Sequence, residues 1–348
     1  NIMRSHSIIT SVKELNDWFL ENRRDFPWRL DPTPYRVWIS EVMLQQTRAS
    51  VVVPYFEKWM ALFPDVKALS EARIEWVIKV WEGLGYYSRA RNLHAGARQI
   101  MAECNGEMPS NREDLLKIRG LGPYTVGAIL SFGFKQRAAA VDGNVTRVLA
   151  RYFAIEENVC RQSAKKKILE RAEEILDAEE PWITAEALIE LGATICTPTP
   201  RCDACPIQAH CMGKDRAVSL PIKNEEKKTI LLRRAVIWLE ACGKVLVKKG
   251  ETGKVMADLY EFPYFEMDHE VWMVSRIHRE IENTFAIDAE MLEPLPRVVH
   301  TFTRYKAELY PFRYRAKYAP KTEGYEWVER DQLHKLPFSS GHRRILSL

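Results

Sequence analysis

The stretch Leu116-Lys117-Ile118-Arg119-Gly120-Leu121-Gly122-Pro123-Tyr124-Thr125-Val126-Gly127-Ala128 decides how the first half of the chain is read. It spells the end of one helix, a tight turn through Gly120 and Gly122, and a second helix opened by Pro123, whose fixed φ suits a first helical position. Glycines let the N–H groups of such a turn approach a phosphate oxygen, and the following helix N-terminus adds a favourable dipole. That would grip a nucleic-acid backbone without reading its bases. Taken alone, the segment fits an ordinary helix-turn-helix corner equally well.

Working outward, apolar residues recur at helical spacing over residues 11–213, as in Val12, Leu15, Trp18 and Phe19, or Ile74, Val77, Ile78 and Trp81. Helix boundaries carry matching chemistry: Thr33 before Pro34, Ser110 with Glu113 as a capping box, and Gly83 and Gly192 at or near helix ends. A polar, lysine-rich stretch follows, and then the period changes to two. Residues 235–239 and 245–247 flank a Cys242-Gly243 turn, residues 298–303 and 307–314 read as further strands, and one helix lies near residues 270–283. The expected architecture is multidomain: an all-α domain over 1–213, a linker over 214–228, and a smaller α+β domain over 229–348.

Composition agrees with two folded domains. The 348 residues are 46% hydrophobic, which excludes disorder, and one core seldom grows past about 250–300 residues. Fifty-one Lys plus Arg against 47 Asp plus Glu leave +4, a balance that decides nothing about partners. No apolar run approaches the ~18 residues of a membrane helix, and Asn1-Ile2-Met3-Arg4-Ser5-His6 lacks the order of a secretion signal, so an intracellular, cytoplasmic protein with no membrane partner is expected. Seven cysteines is an odd number, and four crowd into Cys196-x5-Cys202-x2-Cys205-x5-Cys211, which favours metal over disulfides. Four thiolates suit zinc or an iron-sulfur cube, and with no ligand position left open the site reads as structural. Cys104, Cys160 and Cys242 stand alone and read as inert.

Downstream of the glycine turn lies Val141-Asp142-Gly143-Asn144-Val145-Thr146-Arg147-Val148, where an aspartate or asparagine at a helix start is ordinarily a cap. The turn, this segment and the cysteine loop, in this order, resemble the helix-hairpin-helix DNA glycosylases that carry an iron-sulfur cluster. Within that superfamily the chain looks like the MutY-type adenine DNA glycosylases. The likeness runs from about Leu15 to Cys211 and includes Pro27-Trp28-Arg29, Ser40-Glu41-Val42-Met43-Leu44-Gln45-Gln46-Thr47, Trp81-Glu82-Gly83-Leu84-Gly85-Tyr86-Tyr87-Ser88-Arg89 and Glu186-Ala187-Leu188-Ile189-Glu190-Leu191-Gly192-Ala193.

The resemblance implies a [4Fe-4S] cluster on Cys196, Cys202, Cys205 and Cys211, although the first cysteine interval here has five residues where the family has six. It implies that Glu41 protonates adenine N7 and later helps activate water, and that Asp142 stabilises the sugar cation or bonds to it transiently, a two-carboxylate logic shared with glycoside hydrolysis. A protonated Glu41 needs a raised pKa, which its apolar neighbours Trp38, Val42, Met43 and Leu44 make plausible; the alternative is a solvated helix carboxylate. Tyr124 and Asn144 would support the site. Lyase-competent relatives such as endonuclease III carry a lysine at the Tyr124 position, so the phenol implies a monofunctional hydrolase. Arg24, Trp28, Arg29, Leu44 and Glu186 match the adenine pocket; Gln46, Thr47 and Tyr86, with Gly120, Gly122 and Thr125 of the hairpin, match DNA contacts, Gln46 and Tyr86 as wedges into the duplex.

In the second half, Leu259-Tyr260-Glu261-Phe262-Pro263 resembles an element of the MutT-like, Nudix-type domain of these glycosylases. Where a Nudix hydrolase carries Arg-Glu-x-x-Glu-Glu, this chain has Arg279-Glu280-Ile281-Glu282-Asn283-Thr284, so recognition rather than phosphohydrolysis is expected. The family's Phe-Ser-His sensor of 8-oxoguanine corresponds to Phe302-Thr303-Arg304, keeping a hydroxyl and exchanging an imidazole for a permanent cation. The implied function is release of adenine paired with 8-oxoguanine or guanine in double-stranded DNA, by a monomer. The rivals are a lyase-competent pyrimidine-lesion glycosylase, disfavoured by Tyr124, and a non-catalytic DNA-binding iron-sulfur protein, disfavoured by the paired carboxylates. A bare iron-sulfur electron carrier would need neither hairpin nor carboxylates.

Overall fold

The computed structural model describes residues 2–223, 230–250, 259–268, 274–302 and 305–348. The chain divides into two compact units, one of residues 1–72 with 91–225, the other of residues 73–90 with 226–348. Twelve α-helices precede the first strand among the described residues: α1 (Ile2–Asn22), α2 (Pro27–Leu30), α3 (Pro34–Leu44), α4 (Ala49–Leu62), α5 (Val66–Glu71), α6 (Ile74–Trp81), α7 (Ser88–Glu103), α8 (Arg112–Lys117), α9 (Pro123–Ala128), α10 (Gly143–Tyr152), α11 (Gln162–Ile175) and α12 (Pro181–Thr194).

In the first unit α3 is the axis. Thr33 caps it by accepting the Arg36 N–H, Pro34 opens it, and Tyr35, Val37, Trp38, Ile39, Val42 and Met43 bury it on all sides. A helix surrounded in this way carries its polar residues inward too, so Ser40 and Glu41 are 1% and 7% exposed. The cap of α8 corrects the sequence reading. Asn111, not Ser110, accepts the N–H of Asp114 at 2.9 Å, and its side-chain amide binds the Asp114 carboxylate, a pairing that the Ser110 box one residue earlier cannot offer.

The hairpin forms as expected: α8 ends at Lys117, Gly120 turns the chain at φ +86, and Gly122 precedes α9. A Cβ on Gly120 would also sit 2.6 Å from that of Asn92. Immediately after α9 the helix widens into a π-turn over Ile129–Gly133. Residues 214–223 are packed: the Leu220 carbonyl accepts from Arg151, and the Ile222 carbonyl accepts from the Val159 N–H.

The second unit is built on strands β1 (Ile230–Ala241), β2 (Lys244–Lys249), β3 (Tyr260–Glu261), β4 (Tyr264–Glu266), β5 (Ala289–Pro294), β6 (Val298–Phe302), β7 (Tyr305–Ala316) and β8 (Glu326–Glu329), with helices α13 (Val274–Phe285) and α14 (Ser340–Leu346). Long β1 and β7 pair in parallel from Ile230 opposite Tyr305 to Glu240 opposite Arg315; β2 and β4 add antiparallel to β1, β5 and β6 to β7, and β3 and β8 to β2. A parallel pair needs both faces covered, and the alternation along β1 does this. Ala235, Ile237 and Leu239 meet Ile277, Ile281 and Phe285 of α13, whereas Val236 and Trp238 join Phe262, Phe338 and Ile345 of the opposite face. The expected helix near 270–283 is α13, its first residues lying outside the described ones.

Candidate active site

Four elements of the first unit build the site. Glu41 comes from the middle of α3, Tyr124 from the first turn of α9, Asp142 from the N-cap of α10, and Glu186 from α12. The Tyr124 hydroxyl donates to Glu41 Oε2 at 2.5 Å. Burial pushes the Glu41 carboxyl up to about 7, with the charges of Asp142 and Glu186 adding and the Tyr124 bond and Arg29 opposing. Tyr124 itself is pushed well above the usual phenol range by burial and by the carboxylate facing it.

Asp142 is a cap with a second task. Oδ1 accepts the Val145 N–H at 2.7 Å, as an N-cap should, and Oδ2 accepts from Asn144 Nδ2 at 2.9 Å. Burial still raises its pKa, against those bonds. Asn144 Oδ1 in turn accepts from Arg147, which also donates to the carbonyls of Gly192 (2.7 Å) and Cys196 (2.8 Å). The aspartate is thus joined through two side chains to the first cysteine of the loop. Gly192, inside the last turn of α12, makes room for this: a Cβ there would lie 2.7 Å from that of Asn144.

Arg24 and Arg29 converge on a residue that the sequence reading left without a role. Glu190, 1% exposed, accepts from Arg24 Nε at 2.6 Å and from Arg29 at 2.9 Å, while Arg29 Nε donates to Glu186 at 3.2 Å. Burial opposes ionisation of Glu190, but the two guanidiniums hold it below the usual carboxylate range. Its signal was present, since Glu186 and Glu190 stand four apart on one helix face. Trp28, 7% exposed, stacks on Phe26 and meets Phe56 edge-on, and Leu44 ends α3 half-buried.

Among the expected DNA contacts, Gln46 is exposed at φ +59 and Tyr86 is 39% exposed at φ +47, the left-handed region that side chains other than glycine seldom adopt. Thr47 bonds the Gln45 carbonyl at 3.4 Å. Thr125 is 2% exposed, and its hydroxyl accepts from Gln45 Nε2 at 3.5 Å, so it stands behind the hairpin surface. Thr303 and Arg304 lie outside the described residues.

The cysteine loop closes tightly despite its short first interval: the Arg201 N–H bonds the Ile195 carbonyl at 3.1 Å and the Thr197 hydroxyl bonds the Thr199 carbonyl at 2.6 Å. Cys196, Cys202, Cys205 and Cys211 line one small pocket with Arg151 and Lys214. Burial drives the Cys205 thiol up to about 12, and the other three thiols add to it, so all four share one neighbourhood. Among the described residues no three Cys, His, Asp or Glu close on a single ion. Four thiols lining one pocket are a donor set of the kind that iron-sulfur clusters use. Arg151, 2% exposed, donates to Cys196 Sγ at 3.3 Å and to the carbonyls of Cys196, Thr197, Pro198 and Leu220, with no carboxylate among its described partners. A buried cation so placed fits a negatively charged neighbour at the thiols.

Residues 39–177 match the HhH-GPD superfamily base excision DNA repair protein family, and residues 234–348 match the NUDIX domain. The chain is 40% identical to the adenine DNA glycosylase of Rattus norvegicus over 60% of its own length, and spans 43% of that relative. It is 32% identical to the adenine DNA glycosylase of Buchnera aphidicola subsp. Baizongia pistaciae, covering 74% of each chain. Among solved structures it is similar to a thermostable thymine-DNA glycosylase, with 27% identity and a TM-score of 0.55 over 61% of this chain and 98% of that one. Among the described residues no helix is long and apolar enough to cross a membrane.

Proposed function

The chain belongs to the adenine DNA glycosylase family, and from that membership we propose that it hydrolyses the bond joining adenine to deoxyribose in duplex DNA, where adenine lies opposite 8-oxoguanine or guanine. The observation that carries the reading is Glu41: a buried carboxyl held near neutrality at about 7 and bonded to Tyr124, in one site with a second carboxylate, Asp142. At neutral pH such a group is present in both forms, as a group that acts first as acid and then as base needs to be.

In the proposed reaction adenine is flipped from the stack, at a cost of a few kcal/mol, and Gln46 and Tyr86, each exposed and at positive φ, are the candidate wedges into the duplex. Thr47 and the hairpin N–H groups of Gly120 and Gly122 hold the backbone, with buried Thr125 supporting the turn from behind. Arg24, Trp28, Arg29, Leu44 and Glu186 frame the base. Glu41 gives its proton to N7, the electron pair of the C1′–N9 bond leaves with adenine, and Asp142, held by Asn144 and the Val145 N–H, faces the positive charge on the sugar. Glu41, now ionised, takes a proton from the water that adds to C1′. With Tyr124 in place of a lysine amine no Schiff base forms, and the strand stays intact.

Cys196, Cys202, Cys205 and Cys211 would hold a [4Fe-4S] cluster, which when bound would offset part of the thiolate charge, leave a net negative group beside Arg151 and tie the loop together. The second unit would serve recognition of the opposite base, with Thr303 and Arg304 in the sensor position. The protein is expected to act as a monomer on intracellular DNA. The test is single-turnover adenine release at fixed salt from duplexes with adenine opposite 8-oxoguanine, guanine or thymine, followed by alkali. Faster release opposite 8-oxoguanine, with strands whole until alkali, supports the reading; equal rates move discrimination away from the sensor, and no release from any duplex favours a binding-only protein.

A further inference from the structure

We propose that Glu82, Tyr87 and Arg343 are positioning residues that mount the Tyr86 wedge on the C-terminal segment of the second unit; this rests on the reading of Tyr86 given above. Helix α6 stops at Trp81, and in the turn that follows Gly83, Gly85 and Tyr86 all lie at positive φ, +107, +70 and +47. For tyrosine this backbone costs about 1–2 kcal/mol and persists only where its surroundings hold it.

The surroundings are specific. Inside the turn, Trp81 Nε1 donates to the Gly85 carbonyl at 3.0 Å, and Arg89 donates to the carbonyls of Leu84 (2.9 Å) and Gly85 (3.1 Å). Outside it, one oxygen of Glu82 accepts the Phe338 N–H at 3.1 Å and Arg343 Nε at 2.6 Å, while the other accepts from Lys79 at 2.7 Å. Lys79 reaches on to the His334 and Leu336 carbonyls at 2.8 and 3.2 Å. The Tyr87 hydroxyl accepts the Gly83 N–H and donates to the Phe338 carbonyl, both at 3.4 Å.

Both backbone polar groups of Phe338 are therefore spent on this turn, and its ring, 0% exposed, is locked into the core against Phe262. The Glu82–Arg343 pair is shielded, with side chains 14% and 25% exposed, so it resists solvent competition better than a surface pair. Tyr86 is 39% exposed, with the Arg89 guanidinium over its ring at 5.7 Å from the centroid. A fixed base under an exposed ring, with a guanidinium behind it, is what a wedge needs to stand against the closing force of stacked bases.

The experiment uses the full chain and a duplex with 2-aminopurine beside the adenine·8-oxoguanine mispair, reading fluorescence for unstacking and single-turnover release for chemistry. Tyr86→Ala defines loss of the wedge. Glu82→Gln and Arg343→Met should each lower the fluorescence rise and slow release by about tenfold, the size expected for one shielded charge-assisted hydrogen bond. Tyr87→Phe, a change too small to unfold the unit, should do the same in lesser degree. The double variant Tyr86→Ala with Arg343→Met should be no slower than Tyr86→Ala alone, because Arg343 acts through the wedge. Losses that multiply, or an unchanged fluorescence rise in Glu82→Gln and Tyr87→Phe, overturn the proposal. A wild-type chain that unstacks the duplex through these residues yet releases no adenine would support the mount and sink the glycosylase reading alone.

Discussion

Replacing Tyr124 by phenylalanine removes one hydroxyl from the site, and the structure sets what should follow. That hydroxyl donates to Glu41 Oε2 at 2.5 Å and pulls the carboxyl toward its ionised form, against the burial that holds it at about 7. A hydrogen bond to a charged group is worth about 1.5–3 kcal/mol and one to a neutral group about 1, so the ionised form loses roughly 1.4 kcal/mol more than the acid. At about 1.4 kcal/mol per pKa unit, Glu41 should titrate about one unit higher in Tyr124→Phe than in the wild type. The assay is single-turnover adenine release across about pH 5.5 to 9. If protonated Glu41 is the acid, the wild-type rate falls above about pH 7 and the limb of the variant lies about one unit to the alkaline side, below a lower acid plateau. A limb that stays in place, or moves to the acid side, refutes the assignment of Glu41 as proton donor.

Glu41→Gln should abolish release yet stabilise the fold at alkaline pH. The folded pKa, about 7, lies above the ordinary 4.5, so wild-type stability is full below pH 4.5 and declines as pH rises through about 7, by at most ~3 kcal/mol, whereas glutamine does not titrate. Thermal unfolding at about pH 8 and pH 4.5 checks this, with a gain in Tm expected only at the higher value. Gly192→Ala places a Cβ 2.7 Å from that of Asn144 and 3.1 Å from its carbonyl, so a loss of about 1–3 kcal/mol and slower release are expected, read by Tm and single-turnover rate. Arg151→Met removes the buried cation at Cys196, and protein purified from it should hold less iron and show weaker visible absorbance than the wild type; full iron occupancy would detach Arg151 from the cluster site.

The parts of the fold that were legible in the sequence are those specified locally. The glycine turn at Gly120 and Gly122, the Thr33-Pro34 helix start and the Cys242-Gly243 hairpin follow from the conformations these residues allow. The cap of α8 was misplaced by one residue because serine and asparagine cap almost equally well and only the Asn111–Asp114 pairing separates them. Residues 73–90, helical in pattern and inside the first half, belong to the second compact unit, and no local signal shows that Glu82 finds its partners at Phe338 and Arg343. Glu41 was legible as a candidate from its motif and apolar neighbours, whereas its degree of burial depended on what surrounds α3. Glu190 was missed because an i, i+4 glutamate on an amphipathic helix is usually solvated, and Arg24 and Arg29 arrive from 166 and 161 residues away.

The pairing of Arg24 and Arg29 with Glu186 and Glu190 has an electrical meaning for what can enter the pocket. Both guanidiniums are matched at short range to carboxylates, and Lys135 faces Glu186 as well, so the positive charge of this corner is engaged within the protein rather than offered to a phosphate. On the proposed function, an uncharged base would lodge against it, while a sugar-phosphate chain would gain nothing by following. On that same reading, phosphates would find their counter-charge and N–H donors elsewhere on the surface, a division that would orient the nucleotide with its base inward.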